Sequence, residues 1–169
     1  MAEQEIVVDK ERVDYEGIFS VAELYRLIDE WFLDKGYYRF EPRHVESAKP
    51  EGKFVELDLQ PTKQLTDYAK SVLKIRVQLS NIKDVTVEGA EGVKQRLNQG
   101  KVHLVFTGVL ETDYEGKWEG KPLFMFIRTV YDKYVYKTLT GGFQQTVKDD
   151  ILQLKNNIAG FLNLHRYTT

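Results

Sequence analysis

The spacing of the apolar residues in the middle of the chain constrains the fold most. In Phe54 to Gln60 (FVELDLQ), Val55, Leu57 and Leu59 fall on one face and Glu56, Asp58 and Gln60 on the other. In Val72 to Ser80 (VLKIRVQLS), Leu73, Ile75, Val77 and Leu79 alternate with Lys74, Arg76, Gln78 and Ser80. A period of two belongs to a half-buried strand and fixes which side of a sheet each residue faces. Paired antiparallel, the two segments set an acidic outer row against a basic one, at about 0.2–1 kcal/mol per cross-strand pair. The stretch between them, PTKQLTDYAK, reads as a short helical turn or as the ends of a long hairpin.

The flanking sequence adds a helix before these strands and another after them. Residues 5–19 are rich in Val, Ile, Tyr and Phe and read as one strand or two short ones. Ser20 and Glu23 form a capping box, with Phe19 and Leu24 placed as a hydrophobic staple. Val21, Leu24, Ile28, Trp31 and Phe32 then recur at helical spacing, and Gly36 suits a left-handed exit after Lys35. Tyr38 and Phe40 alternate with Arg39 and Glu41, and Pro42 limits that segment to an edge or bulged strand. Pro50-Glu51-Gly52 is a turn.

Asp84–Glu88 continues as strand, and Gly89–Gly100 reads as one or two helical turns. Val102–Glu111 and Leu123–Tyr136 read as strands apolar on both faces, joined by a loop from Tyr114 to Pro122. Gly141-Gly142 ends the sheet. Phe143, Val147, Ile151, Leu154, Ile158, Phe161 and His165 then mark an amphipathic helix of about six turns, with Asp149 and Asp150 toward its dipole-favoured start. The expectation is an α+β fold: a curved antiparallel β-sheet with an N-terminal helix and a long C-terminal helix packed on it, residues 1–169 forming one domain.

Composition removes many functions. The 169 residues include no cysteine, which excludes disulfides, thiolate metal sites and a cysteine nucleophile. The formal net charge of −2 gives no bulk attraction to nucleic acid. Aromatics interleaved with Lys and Arg around Trp31–Phe40 and Tyr131–Tyr136 could stack single-stranded bases, but strands collect such residues anyway. The acidic start MAEQEIVVDK does not resemble a signal peptide, and no apolar run is long enough to span a bilayer, so a cytoplasmic protein without a membrane span is expected. No phosphate-loop, dinucleotide, zinc-protease, EF-hand or nucleophile-elbow motif occurs, and His44, His103 and His165 are scattered. No metal, cofactor or catalytic residue is assigned, and enzymatic activity is not the favoured reading.

Several charged groups have both a functional and a structural reading. Glu56 with Asp58, and Asp113 with Glu115 and Glu119, could act as carboxylate pairs; salt-bridged, solvated faces are the simpler reading. Gly141-Gly142 could cradle an anion at a helix start, although a turn suffices. Arg128 shares a strand face with Phe124 and Phe126 and must be paired, reach water or meet an anionic ligand. Arg128, Tyr131 and His103 are the candidate ligand anchors, as polar groups within apolar strands.

The order of elements resembles the helix-grip fold of START-related ligand-binding proteins. The matching parts are the strand ending at Phe19, the helix from Val21 to Lys35, the strands from Tyr37 to Tyr136 and the helix from Phe143 to about Leu164. The resemblance is one of topology and carries over no functional residue. It implies a cavity between sheet and closing helix that takes a small apolar molecule or lipid. The alternative, from a different class, is a structural or protein-interaction module whose apolar strands meet a partner or a second copy in a homodimer.

Overall fold

A computed structural model describes residues 3–112, 126, 129–130 and 137–166. Its elements in chain order are β1 (Glu3–Phe19), α1 (Val21–Lys35), β2 (Arg43–Lys49), β3 (Gly52–Leu59), β4 (Thr62–Gln64), β5 (Ala69–Glu88), β6 (Lys94–Thr112) and α2 (Lys137–Arg166). The strands form one antiparallel sheet in the order β1-β6-β5-β3-β2, with β4 on the flank of β5. The sheet is open, and α1 and α2 complete an α+β architecture compatible with a helix-grip arrangement.

The first helix follows its sequence signals. Ser20 Oγ accepts from Glu23 N at 3.3 Å, and Gly36 adopts φ 77° at the exit. Leu24, Ile28, Trp31 and Phe32 are buried, and Phe19 packs in the same core. The central strands also pair as their alternation requires. Asp58 lies opposite Arg76 and Glu56 opposite Gln78. Arg76 Nε donates to Asp58 Oδ1 at 2.8 Å, and Gln78 Nε2 to Glu56 Oε2 at 3.0 Å. The segment before β5 is a hairpin end, with Thr62 paired to Val72.

Four expectations are corrected. Gly89–Gly100 holds no helix: β5 and β6 run through it in register from Glu88↔Lys94 to Asp84↔Asn98, closed by a turn in which Gly89 N donates to Val93 O. Its polar residues face solvent, so composition alone hid the strand. Tyr38 and Phe40 form no strand of their own; Tyr38 makes one isolated bridge to Thr62. Helical backbone at Phe126, Thr129 and Val130 replaces the strand expected there, because a continuous apolar run does not distinguish strand from helix. The rest of Leu123–Tyr136 and the Tyr114–Pro122 loop lie outside the described residues. Finally, Gly141-Gly142 breaks nothing. Both lie inside α2, which starts at Lys137 and makes about eight turns.

Of the register shifts in the sheet, which include one between Ile6 and Val8, two β-bulges bear on the sites below. In β5 the register shifts between Ser80 and Lys83, where Asn81 has φ 56°. The extra residue turns Ile82 to the core side, where it is buried. Glycines flank the bulge: a Cβ on Gly52 would lie 2.6 Å from the Asn81 carbonyl carbon, and one on Gly100 would lie 2.4 Å from Ile82 Cδ1. In β1 the register jumps between Val8 and Glu11, so that Asp9 and Lys10 together oppose Thr107, and Lys10 takes φ 51°. Bulges of this kind bend the strand and raise its twist.

The core lies between the sheet and the helices. From α2, Val147, Ile151, Leu154, Ile158 and Leu162 are buried, with Phe143 and Phe161 partly so. A Cβ on Gly108 would meet Val147 Cγ1 at 2.8 Å and Ile151 Cγ1 at 3.2 Å. The helix therefore rests directly on the β6 backbone at this point. Among the described residues no helix is long and apolar enough to cross a membrane.

Candidate functional site

The helix-covered side of the sheet carries a groove of about 490 Å³ beside the first turns of α1. Its apolar part comes from Val21, Ala22, Val55, Leu79 and Ile82; Tyr25, His44, Glu46, Lys53, Asp84 and Asn98 complete it. The β5 bulge is what brings Ile82 to this side. Asn98 fixes the neighbouring end of the helix: its Oδ1 accepts from Val21 N at 3.1 Å while its Nδ2 donates to Asp84 Oδ1 at 2.9 Å. An orphan amide of the first helical turn is thus satisfied from the sheet.

Charge at the polar end is organised in pairs. Lys53 bonds Glu46 and holds its carboxyl below the usual carboxylate range. His44 Nδ1 lies 3.1 Å from Glu41 Oε1. Burial pushes the Tyr25 phenol above its usual range, with Glu46 and Glu41 adding to the rise and Arg39 opposing it. At neutral pH Tyr25 is therefore a protonated donor beside an ionised Glu46. This set can hydrogen-bond one polar end of a molecule whose apolar part lies on Val55, Leu79 and Ile82.

A second polar cluster is buried where α2 crosses β5. Tyr37 Oη donates to Asp150 Oδ2 at 2.7 Å and lies 2.9 Å from Ser71 Oγ. All three residues are buried. Burial drives the Tyr37 phenol far above its usual pKa; the Ser71 hydrogen bond lowers it and Asp150 raises it further. The ring stacks on Trp31 at 5.5 Å and 20°, with Lys63 Nζ 5.5 Å from its centroid on another approach. Among the described residues Trp31 Nε1 is buried without a hydrogen-bond partner. The apolar stripe from Phe143 predicts Asp150 near a helix start. In fact α2 begins thirteen residues earlier, at Lys137, so the dipole does not account for it. Asp150 lies three positions after Val147 and one before Ile151, inside the apolar stripe, and that spacing was the available signal.

Of the anticipated anchors, only His103 falls within the described residues, and it does not line the groove. His103 lies on the opposite face of the sheet, where it pairs with Asp14 of β1. The β6 face carrying it, with Lys101, Val105 and Thr107, is partly exposed rather than apolar and covered. Arg128 and Tyr131 lie outside the described residues, as do Asp113, Glu115 and Glu119. Glu56 and Asp58 are engaged by Gln78 and Arg76, in keeping with a salt-bridged face. Among the described residues no group of three His, Asp or Glu side chains is placed to hold a metal ion. A comparison with known protein families finds no matching family model, and a comparison with curated proteins finds no matching sequence.

Proposed function

We propose that this protein binds a small molecule with an apolar body and one hydrogen-bonding end, in the groove between α1 and the sheet, as a non-enzymatic carrier or sensor of the START-like helix-grip type. The observation that carries the reading is the groove itself. Its volume of about 490 Å³ lies within the roughly 300–1,000 Å³ range of small-molecule sites, and its apolar surface is bordered by hydrogen-bonding groups, among them Tyr25 beside Glu46. The sheet order supports the comparison with helix-grip proteins. The notional space between α2 and the sheet is occupied at Gly108 by Val147 and Ile151, which favours the α1 side for the ligand.

Native mass spectrometry of protein purified from its host tests this reading. A stoichiometric small-molecule adduct is expected in the wild type and should be lost in Ala22→Trp, which fills the groove. A wild type without adduct, or an adduct that Ala22→Trp leaves in place, removes the proposal. A second reading, an association surface, rests on Leu33, Tyr38 and Phe40, which are 80%, 76% and 53% exposed. Light scattering decides it: a strict monomer at high concentration excludes self-association through this surface.

A further inference from the structure

The sheet face turned away from the helices carries a concentration of cations that the overall charge of −2 does not suggest. A depression of about 510 Å³ lies there, lined among others by Lys10, Arg12, Lys74, Arg76, Val105 and Thr107. The register shows how they come together. Arg12, Val105, Arg76 and Asp58 form one row across β1, β6, β5 and β3, and Thr107 lies opposite Lys74 in the next row. The β1 bulge adds the fourth cation: Lys10, in its left-handed conformation opposite Thr107, lies on the same face as Arg12. A non-glycine residue with positive φ costs of order 1 kcal/mol, so this placement is made against a backbone preference.

Among the described residues Asp58 is the one carboxylate lining the depression, and Arg76 occupies both its oxygens at 2.8 and 3.3 Å. His103, at the rim, is engaged by Asp14. Among the described residues, Lys10, Arg12 and Lys74 have no salt-bridge or side-chain hydrogen-bond partner. Like charges gathered without counter-charges repel one another, and an anion between them relieves that repulsion.

We propose that this outer face is a second binding site, for a small, multiply phosphorylated molecule held by Lys10, Arg12 and Lys74, with Thr107 as a neutral hydrogen-bonding partner. Three unpaired cations match the charge of a diphosphate or triphosphate better than that of a single phosphate, and the depression is much larger than one phosphate requires. Arg12 supplies a planar fork for phosphoryl oxygens and the lysines supply point charges. A nucleic-acid strand is the less suitable occupant, because among the described residues no aromatic ring lines the depression to stack a base.

Calorimetric titration of the full chain with tripolyphosphate, at about 0.15 M salt to suppress diffuse attraction, provides the test. Saturable one-to-one binding is expected, with inorganic phosphate at matched ionic strength at least tenfold weaker. Arg12→Ala and Lys74→Ala should each weaken tripolyphosphate about tenfold or more, whereas Lys94→Ala, at the far end of the hairpin, should change it less than twofold. All three side chains are exposed, so the variants should fold, and unchanged far-UV circular dichroism checks this. Equal binding of inorganic phosphate, indifference to Arg12→Ala and Lys74→Ala, or tighter binding of a single-stranded oligonucleotide than of tripolyphosphate would overturn the proposal. The α1 groove lies on the other face, so failure of either site leaves the other standing.

Discussion

Replacing Tyr37 with Phe removes one oxygen atom and keeps the ring stacked on Trp31. The lost hydroxyl is the donor to Asp150 Oδ2 at 2.7 Å and the neighbour of Ser71 Oγ at 2.9 Å. Asp150 is 7% exposed, so water cannot readily take the place of that donor. A hydrogen bond to a charged group contributes about 1.5–3 kcal/mol, and a buried neutral one about 0.5–1.5 kcal/mol. Tyr37→Phe should therefore destabilise the protein by about 2–4 kcal/mol, which for a chain of this size lowers Tm by about 4–16 °C. Urea unfolding followed by circular dichroism measures it, with Tyr38→Phe as the control because Tyr38 is largely exposed. Adding Asp150→Asn should give a strongly non-additive double-mutant cycle. If Tyr37→Phe unfolds within about 0.5 kcal/mol of wild type, or the two substitutions simply add, the cluster does not clamp α2 to the sheet.

Other measurements probe other parts of the fold. Gly108→Ala should cost about 1–3 kcal/mol through overpacking against Val147, and Val147→Ala in the same chain should recover part of the loss; a neutral Gly108→Ala would mean that the helix is not seated on β6. Ser20→Ala should cost about 0.5–2 kcal/mol through the lost N-cap, read by thermal unfolding. In Lys53→Met the Glu46 carboxyl should titrate at higher pH than in wild type, followed by carbon-13 NMR; an unmoved midpoint would show that Lys53 is not the cause of the depression. Tyr37 and Tyr25 both have raised folded-state pKa values, so the unfolded chain loses these protons first. Their contribution is complete below about pH 10 and declines above it, and the alkaline loss of stability should be shallower in Tyr37→Phe.

Much of this fold was legible because local rules and tertiary packing agree. The capping box at Ser20, the alternation in β3 and β5 and the apolar stripe of α2 each have a single physical reading. Legibility failed where the determinant was a partner distant in sequence. Lys94 to Gly100 is a strand because it lies in register with β5, not because of its own side chains. The bulges at Lys10 and Asn81 leave no pattern beyond a lapse in alternation, although they decide that Lys10 lies on the outer face and Ile82 on the inner one. The α1 groove was out of reach for the same reason, since its lining comes from α1 and four strands. His103 lies in an apolar run, but alternation alone puts it opposite Leu104, on the face away from the core.

The position of β1 has a consequence for how the chain is made. Its hydrogen-bonding partners, from Asn98 to Thr112, follow it by roughly 80–110 residues. During synthesis the first strand therefore emerges long before β6 exists, while the β5–β6 hairpin can zip locally around Gly89–Val93 as soon as both arms are free. Folding should begin with that ribbon and finish when the oldest segment docks onto its youngest edge, so a nascent chain stalled before β6 would display β1 as an unpaired, sticky edge.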